Sequence, residues 1–262
     1  MRALVTFSYQ DPAGVGMAEE LKKISGSEIE IKGFDVNDVE FSFLEDFKEY
    51  NAFIVLSMHM SEAGIPCLTV HHTGNLTSKA LLGGRPREIS VSFPRLSGFL
   101  IKKIHSLVSY YGLAEKMKVS YEATHHGPTN ITRPLVYVEI GSSEKEWKDK
   151  ELQKLMAEAV YDAYMLLKED RLPDCEKAIG FGGGHYSERH TKISIENNVC
   201  FGHLVPKYAI KEGIDSFVLD QIYDKNYEGI NSVYAEKKIG TREFREEIEK
   251  KAKERNVKFV YF

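Results

Sequence analysis

Cysteine is scarce in this 262-residue sequence: Cys67, Cys175 and Cys200 are the whole set, widely spaced and without a Cys-x-x-Cys pair. An odd, scattered set excludes a dense disulfide framework and is the usage expected in a reducing cytoplasm. Long apolar runs are also missing. None approaches the roughly 20 residues of a membrane-spanning helix, so a membrane is not expected as a partner. The apolar start, Met1-Arg2-Ala3-Leu4-Val5-Thr6-Phe7, is too short for a signal peptide and turns polar at once. Positive charge is not in excess either: 35 Lys and Arg against 39 Asp and Glu leave a net charge of −4. That balance excludes a DNA-coating polycation, and any contact with RNA must be local. Arg85/Arg87/Arg95, Lys102/Lys103 and Lys116/Lys118 are candidate patches, with solvated surface charge as the ordinary alternative for each.

What is present is an ordinary globular composition, 42% hydrophobic and 28% charged, in a chain long enough for a well-buried core. Strand-like and helix-like segments alternate, which predicts an α/β fold with a mixed, largely parallel sheet flanked by helices. Residues 2–7, 28–34, 52–57, 67–71, 117–124, 134–140, 177–181 and 257–262 read as strands. Helices are expected after Asp11-Pro12, over 95–111, 144–168 and 241–255, each from apolar positions at helical spacing. No Pro-, Gly- or Ser-rich linker interrupts the chain, so residues 1–262 are expected to form one domain. The weakest point for a subdivision lies near 142–146, where the sequence turns polar.

Histidine carries the chemical signal. Of nine, seven fall in three stretches at apparent strand ends: His59 with His71-His72-Thr73-Gly74-Asn75, then His125-His126-Gly127-Pro128-Thr129-Asn130, then Gly182-Gly183-Gly184-His185-Tyr186-Ser187-Glu188-Arg189-His190. Loops leaving the carboxyl ends of strands meet in one crevice in open α/β sheets. Neutral imidazole is both a metal ligand and a proton carrier near neutral pH, and both uses stay open here. A His-His pair in extended chain points its rings to opposite faces. At most one of each doublet then reaches a common site, unless the loop bends.

The glycines of Gly180-Phe181-Gly182-Gly183-Gly184 sit where a strand gives way to a loop, and successive amides there make a candidate anion nest. Arg189 and His190 are candidates to add positive charge to it. The run fits neither a Walker loop nor Gly-x-Gly-x-x-Gly, so no nucleotide cofactor is indicated. Glu122 is a candidate base or histidine-orienting carboxylate. Thr73 and Thr129 are candidate donors to a substrate carbonyl, or turn caps. Tyr186 and the Tyr110-Tyr111 pair are candidates for stacking on an unpaired base, with core packing as the alternative. No Gly-x-Ser-x-Gly elbow is present, which disfavours a serine-hydrolase triad.

Taken together and in order, His71-His72-Thr73-Gly74-Asn75, Tyr121-Glu122-Ala123-Thr124-His125-His126-Gly127-Pro128-Thr129 and Gly180-Phe181-Gly182-Gly183-Gly184-His185-Tyr186 closely resemble the archaeal and plant type of D-aminoacyl-tRNA deacylase. The resemblance covers nearly the whole chain. It implies a fold similar to peptidyl-tRNA hydrolase, zinc as cofactor, and hydrolysis of D-aminoacyl-tRNA to D-amino acid and tRNA. N-modified D-aminoacyl groups are further substrates associated with the family. From the residues themselves, His71, His72, His125 and His126 are the candidate ligands, and His125, His126, Glu122, His185 and Thr129 the candidate catalytic residues. Gly182, Gly183, Gly184, Arg189, Tyr186, Thr73 and Asn75 are candidates to bind the tRNA 3′ end. A cytoplasmic monomer with no DNA partner is expected. A metal-independent peptidyl-tRNA hydrolase-like esterase and a non-catalytic zinc- or RNA-binding protein are the competing readings.

Overall fold

The computed structural model describes residues 1–62 and 64–262. The apolar N-terminal run forms strand β1 (Ala3–Ser8), buried along its length. Asp11 then caps helix α1 (Pro12–Ser25), accepting from the Gly14 amide at 2.8 Å, with proline at the first helical position. Strand β2 (Ile31–Phe34), a 3-10 stretch over Asp38–Asp46 and strand β3 (Ala52–Met60) follow. Next come β4 (Cys67–His71), two short strands β5 (Gly74–Asn75) and β6 (Glu88–Ile89), and helix α2 (Pro94–Tyr110). Strands β7 (Lys118–Tyr121) and β8 (Leu135–Ser142) complete the first half.

One helix was expected over 144–168; the structure has two, α3 (Glu144–Trp147) and α4 (Lys150–Lys168). Asp149 is the reason. Its carboxylate accepts from the amides of Glu151 and Leu152, which starts a new helix where the sequence pattern alone continues. The second half contributes β9 (Glu176–Phe181), α5 (Glu188–Asn197), β10 (Val199–Val205), α6 (Lys207–Glu212), α7 (Ser216–Asp224), β11 (Ser232–Ala235), α8 (Arg242–Glu254) and β12 (Lys258–Tyr261).

The first sheet has six strands in the order β2-β1-β3-β8-β4-β7. Its pairs are parallel except β4 with β8, so β4 and β7 run against the other strands. The second sheet, β10-β9-β11-β12, is parallel throughout. This is the mixed, mostly parallel α/β architecture that the alternation of segments predicts.

One face of the first sheet, with Ile54, Leu68 and Val138, packs against Met17 and Leu21 of α1, Leu96 and Leu100 of α2, and Leu155 and Val160 of α4. The same core includes Ala178, Phe201 and Leu204 of the second sheet, so both sheets bury apolar surface together. The opposite face carries Val55, Leu135 and Tyr137 under Phe41 and Leu44 of the 3-10 stretch. A separate cluster seats α7 and α8 on the second sheet through Val218, Ile222 and Ile248.

The reduced cysteine set expected from the sequence is corrected at one pair: Cys175 and Cys200 form a disulfide, Cα to Cα 6.0 Å, while Cys67 is a buried free thiol. Strand register explains it. Glu176 of β9 pairs with Val199 of β10, which sets the two neighbouring cysteines side by side. Among the described residues no helix is long and apolar enough to cross a membrane.

Candidate active site

Register assembles the site on one face of the first sheet. Glu139 in β8 is paired with Ser57 of β3 and Thr69 of β4, and two residues either side of it Gly141 pairs with His59 and Tyr137 with His71. Side chains alternate along a strand, so His59, His71 and Glu139 share that face. A Cβ on Gly141 would stand 2.8 Å from the His59 ring, so glycine there makes room for the imidazole. Glu122 follows β7, its amide bonded to the Val70 carbonyl, and joins from the side. The site therefore spans a sheet face. Residues of all three histidine stretches meet on it, although β4 and β7 run opposite to β3 and β8.

Five imidazoles surround these two carboxylates. His59 Nδ1 is 3.0 Å from Glu122 and 3.4 Å from Glu139; His71 Nε2 is 3.1 Å from Glu139. His185 Nε2 lies 2.9 Å and His125 Nε2 3.6 Å from Glu122, with His126 Nε2 4.0 Å from Glu139. Glu122, Glu139 and His71 are closed off from solvent, whereas the His185 side chain is 34% and that of His125 22% exposed. His185 and His125 are thus the rings of the cluster open to solvent.

The doublets resolve differently. His71 ends β4 and joins the cluster; His72, next along the extended chain, points away, bonding the Leu135 carbonyl through Nδ1 with its ring beside that of His203. The expectation of His72 as a ligand therefore finds it outside the cluster, by the parity of a strand. His125 and His126 both reach the site because the loop bends there, His126 taking the left-handed φ of 44°.

Three rings are arranged as metal ligands are. His71, His125 and His126 each direct Nδ1 to a backbone carbonyl, of His72 at 3.2 Å, Ala123 at 2.8 Å and Gly127 at 2.6 Å. A carbonyl only accepts, so Nδ1 holds the proton and each Nε2 turns its lone pair toward a carboxylate, Glu139 for His71 and His126 and Glu122 for His125, an arrangement that a cation between ring and carboxylate would satisfy. Each of the three offers a ring nitrogen within 4.8 Å of the other two. Burial, with His126 and His71 alongside, holds His125 well below the ordinary histidine range, neutral as a ligand must be. His59, Glu122 and His185 form a second such group. Both Glu122 oxygens are buried without a well-aligned hydrogen-bond partner despite the short distances to imidazole. A cation satisfies a buried carboxylate of that kind, so the donor set fits one.

Protonation follows the carboxylates. Burial lowers His59, but Glu122 and Glu139 outweigh it and raise it to about 12. Burial pushes both glutamates up, and Glu139 adds repulsion at Glu122, yet the surrounding histidines hold both well below the usual carboxylate range. They are acceptors, and orient the rings.

The remaining expected residues are near the cluster, but several have other partners. Thr73 Oγ1 donates to the Pro128 carbonyl at 2.6 Å, and Asn75 Nδ2 donates to the carbonyls of Gly83 and Arg85. Thr129 accepts from the Arg85 amide and donates to Glu88 at 2.7 Å. Asn75 and Thr129 thus hold the 82–88 segment beside the second doublet, while Thr73 ties its own strand end to Pro128. Tyr186 hydroxyl is 2.9 Å from His59 Nε2 and orients that ring. Gly182 takes a φ of 128°, and a Cβ there would meet the Glu236 side chain at 2.7 Å, beside Gly183 and the exposed Gly184. Arg189 pairs with Glu236 at 3.7 Å and lies over the Phe262 ring, and Lys207 pairs with the same carboxylate. His190 was expected to add charge; it is instead buried, with burial lowering it to about 4, and is neutral.

Glu139 and His59 were absent from the expected catalytic set. A lone carboxylate inside Leu135-Val136-Tyr137-Val138-Glu139-Ile140 was the available signal, because a charge in a strand buried on both faces needs partners.

Comparison with known proteins agrees with this geometry. A family model described as D-aminoacyl-tRNA deacylase matches residues 46–260. The chain is 36% identical to the D-aminoacyl-tRNA deacylase of Aeropyrum pernix, covering 100% of both. It is 36% identical to that of Staphylothermus marinus over 98% of each, and 38% identical to that of Methanocaldococcus jannaschii over 86% of each. Among solved structures, the crystal structure of a conserved protein of unknown function, AF0625, superposes with a TM-score of 0.89 at 23% identity, over 99% of this chain and 95% of that one, and shares the fold. With family motifs gathered around two buried carboxylates and full-length relatives of one kind, the chain belongs to the D-aminoacyl-tRNA deacylase family.

Proposed function

We propose that this protein hydrolyses the ester joining a D-amino acid to the 3′-terminal ribose of tRNA, as a zinc enzyme acting in the cytoplasm as a single-domain monomer. The observation that carries the reading is the cluster itself: His71, His125 and His126 with Nε2 directed inward, backed by the buried Glu122 and Glu139. These three histidines would hold the zinc. When bound, the metal supplies Lewis acidity and lowers the pKa of water.

The other groups belong to the protein's own part of the reaction. Glu122, Glu139 and Tyr186 orient His59. His185, half-buried at the mouth and 2.9 Å from Glu122, is placed to hold or pass the proton that moves between water and the departing ribose oxygen. An aminoacyl ester is already activated, so positioning, proton transfer and stabilisation of the developing oxyanion suffice. Discrimination between enantiomers rests on steric exclusion, since both share every bond and differ only in where the side chain points.

The test compares matched D-tyrosyl-tRNA and L-tyrosyl-tRNA, untreated, with chelator, and with zinc restored. Loss of the D-ester alone, stopped by chelator and recovered with zinc, is expected. Retained activity in chelator would point to a metal-independent esterase, and no D-selective hydrolysis would refute the reading.

A further inference from the structure

A groove of about 490 Å³ lies between α2, the turn before β7 and α5. Val108, Val119 and Ile195 give it an apolar lining, and His105, Lys118 and Lys192 bring basic groups to it beside the carboxylates of Glu188 and Glu196. Its volume is in the range of small-ligand sites. Two of these features answer the sequence: Lys118 belongs to one of the basic patches, and His105 lies outside the three histidine stretches.

The groove adjoins the reaction site through one side chain. Lys118 Nζ stands 4.5 Å from the centre of the Tyr186 ring, whose hydroxyl is 2.9 Å from His59 Nε2. His59 in turn reaches Glu122 at 3.0 Å. Tyr186 thus forms the partition, with the histidine cluster on one side and the lysine-rimmed groove on the other. A polymer whose end is in the cluster has this groove within a nucleotide or two of its path.

Apolar lining with amines beside it suits unpaired nucleotides, the bases resting on the lining and the phosphates meeting the amines. Lys118 and Lys192 are now paired with Glu188 and Glu196, but those carboxylates are 68% and 55% exposed. The Lys192–Glu196 pair is exposed on both sides and therefore weak, so Lys192 is the amine that an incoming phosphate takes over at least cost. Tyr110, next in the chain to Ser109 of the groove wall, is 83% exposed and offers a stacking surface beside it.

We propose that this groove receives the unpaired nucleotides that precede the esterified adenosine of the tRNA 3′ end. The inference rests on the deacylase reading and assigns that substrate a second subsite, distinct from the histidine cluster.

The test measures binding of full-length protein to two fluorescent RNA minihelices of the same stem, one with the unpaired 3′ tail and one blunt. The variants are Lys192→Glu and Ala114→Trp, both at exposed groove positions outside the cluster, with melting temperatures checked first. Wild type is expected to prefer the tailed RNA by roughly tenfold, and both variants to lose that preference while binding the blunt stem unchanged. Variants that bind tailed RNA as wild type does, variants that weaken on both RNAs equally, or a wild type without tail preference would each overturn the groove. Hydrolysis of D-tyrosyl-tRNA by the wild type is assayed in parallel: its failure counts against the deacylase reading, while the binding comparison decides the subsite by itself.

Discussion

His71 and His72 differ by one position and point to opposite sides of β4, so replacing each by alanine should separate two roles. His71→Ala is expected to lose turnover by at least about a hundredfold and, on the zinc reading, to lose its bound metal. His72→Ala should keep its zinc and lose stability, by roughly 1–3 kcal/mol, because its ring is buried and bonds the Leu135 carbonyl. Metal analysis and denaturant melts on the same preparations decide between them. Glu139→Gln keeps the side-chain shape and removes the charge facing His59 and His71. Its turnover should fall by about a hundredfold or more; an unchanged rate would remove Glu139 from the machinery. The histidines were readable from the sequence because two imidazole doublets, each running into a glycine-containing loop, are hard to attribute to core packing. Glu139 was not, since only strand pairing shows that it is buried and that three rings converge on it.

At the scale of elements, the polar residues of the two histidine motifs act as fasteners. Asn75 and Thr129 hold the carbonyls of Gly83 and Arg85, the Arg85 amide and Glu88. Thr129→Val removes a hydroxyl that both accepts and donates. The 77–88 segment is therefore expected to be cut faster by trypsin, at Lys79 or Arg87, with turnover reduced less than in Glu139→Gln. Equal proteolysis rates would refute that role. The same scale shows where patterns mislead. Apolar spacing reads straight through residues 144–168, yet the Asp149 carboxylate divides the segment, because capping two amides satisfies donors that a continuous helix would take up itself. Strand β4 was legible at its observed limits, 67–71, but its direction was not. Parallel and antiparallel neighbours carry the same alternation of side chains.

For the whole molecule, buried neutral histidines set the acid limit. Burial lowers His190 to about 4 and His203 to about 3, below the ordinary value of 6.5. Above that value neither folded nor unfolded chain binds the proton. As pH falls below it, the unfolded chain gains protons that the folded chain refuses, and stability drops until the folded values are reached. Between pH 7 and pH 5 each should cost on the order of 1–2 kcal/mol, read as a fall in denaturant midpoint. In His190→Leu the fall should be smaller; an equal fall would show that His190 is not its source. The Cys175–Cys200 disulfide closes a separation of 25 residues. Cys175→Ser is expected to cost about 3 kcal/mol under oxidising conditions and little in reductant, where the wild type should drop to match it. Spacing of three cysteines could not foretell this pairing, because it depends on β9 lying against β10.

The sequence by itself determined the fold class, the limits of its more strongly patterned strands and helices, and the family, because alternation, capping residues and the three histidine motifs are local and survive any arrangement of the elements. The segments between 188 and 235 were left unread, since α6 and α7 are short and β11 spans only Ser232–Ala235, too little for a period to stand out. Only the tertiary structure decided that one imidazole of the first doublet and both of the second face the carboxylates, that Glu139 lies among them, and that a groove adjoins the site behind Tyr186. Those outcomes depend on strand register and direction, and register is a relation between segments far apart in the chain.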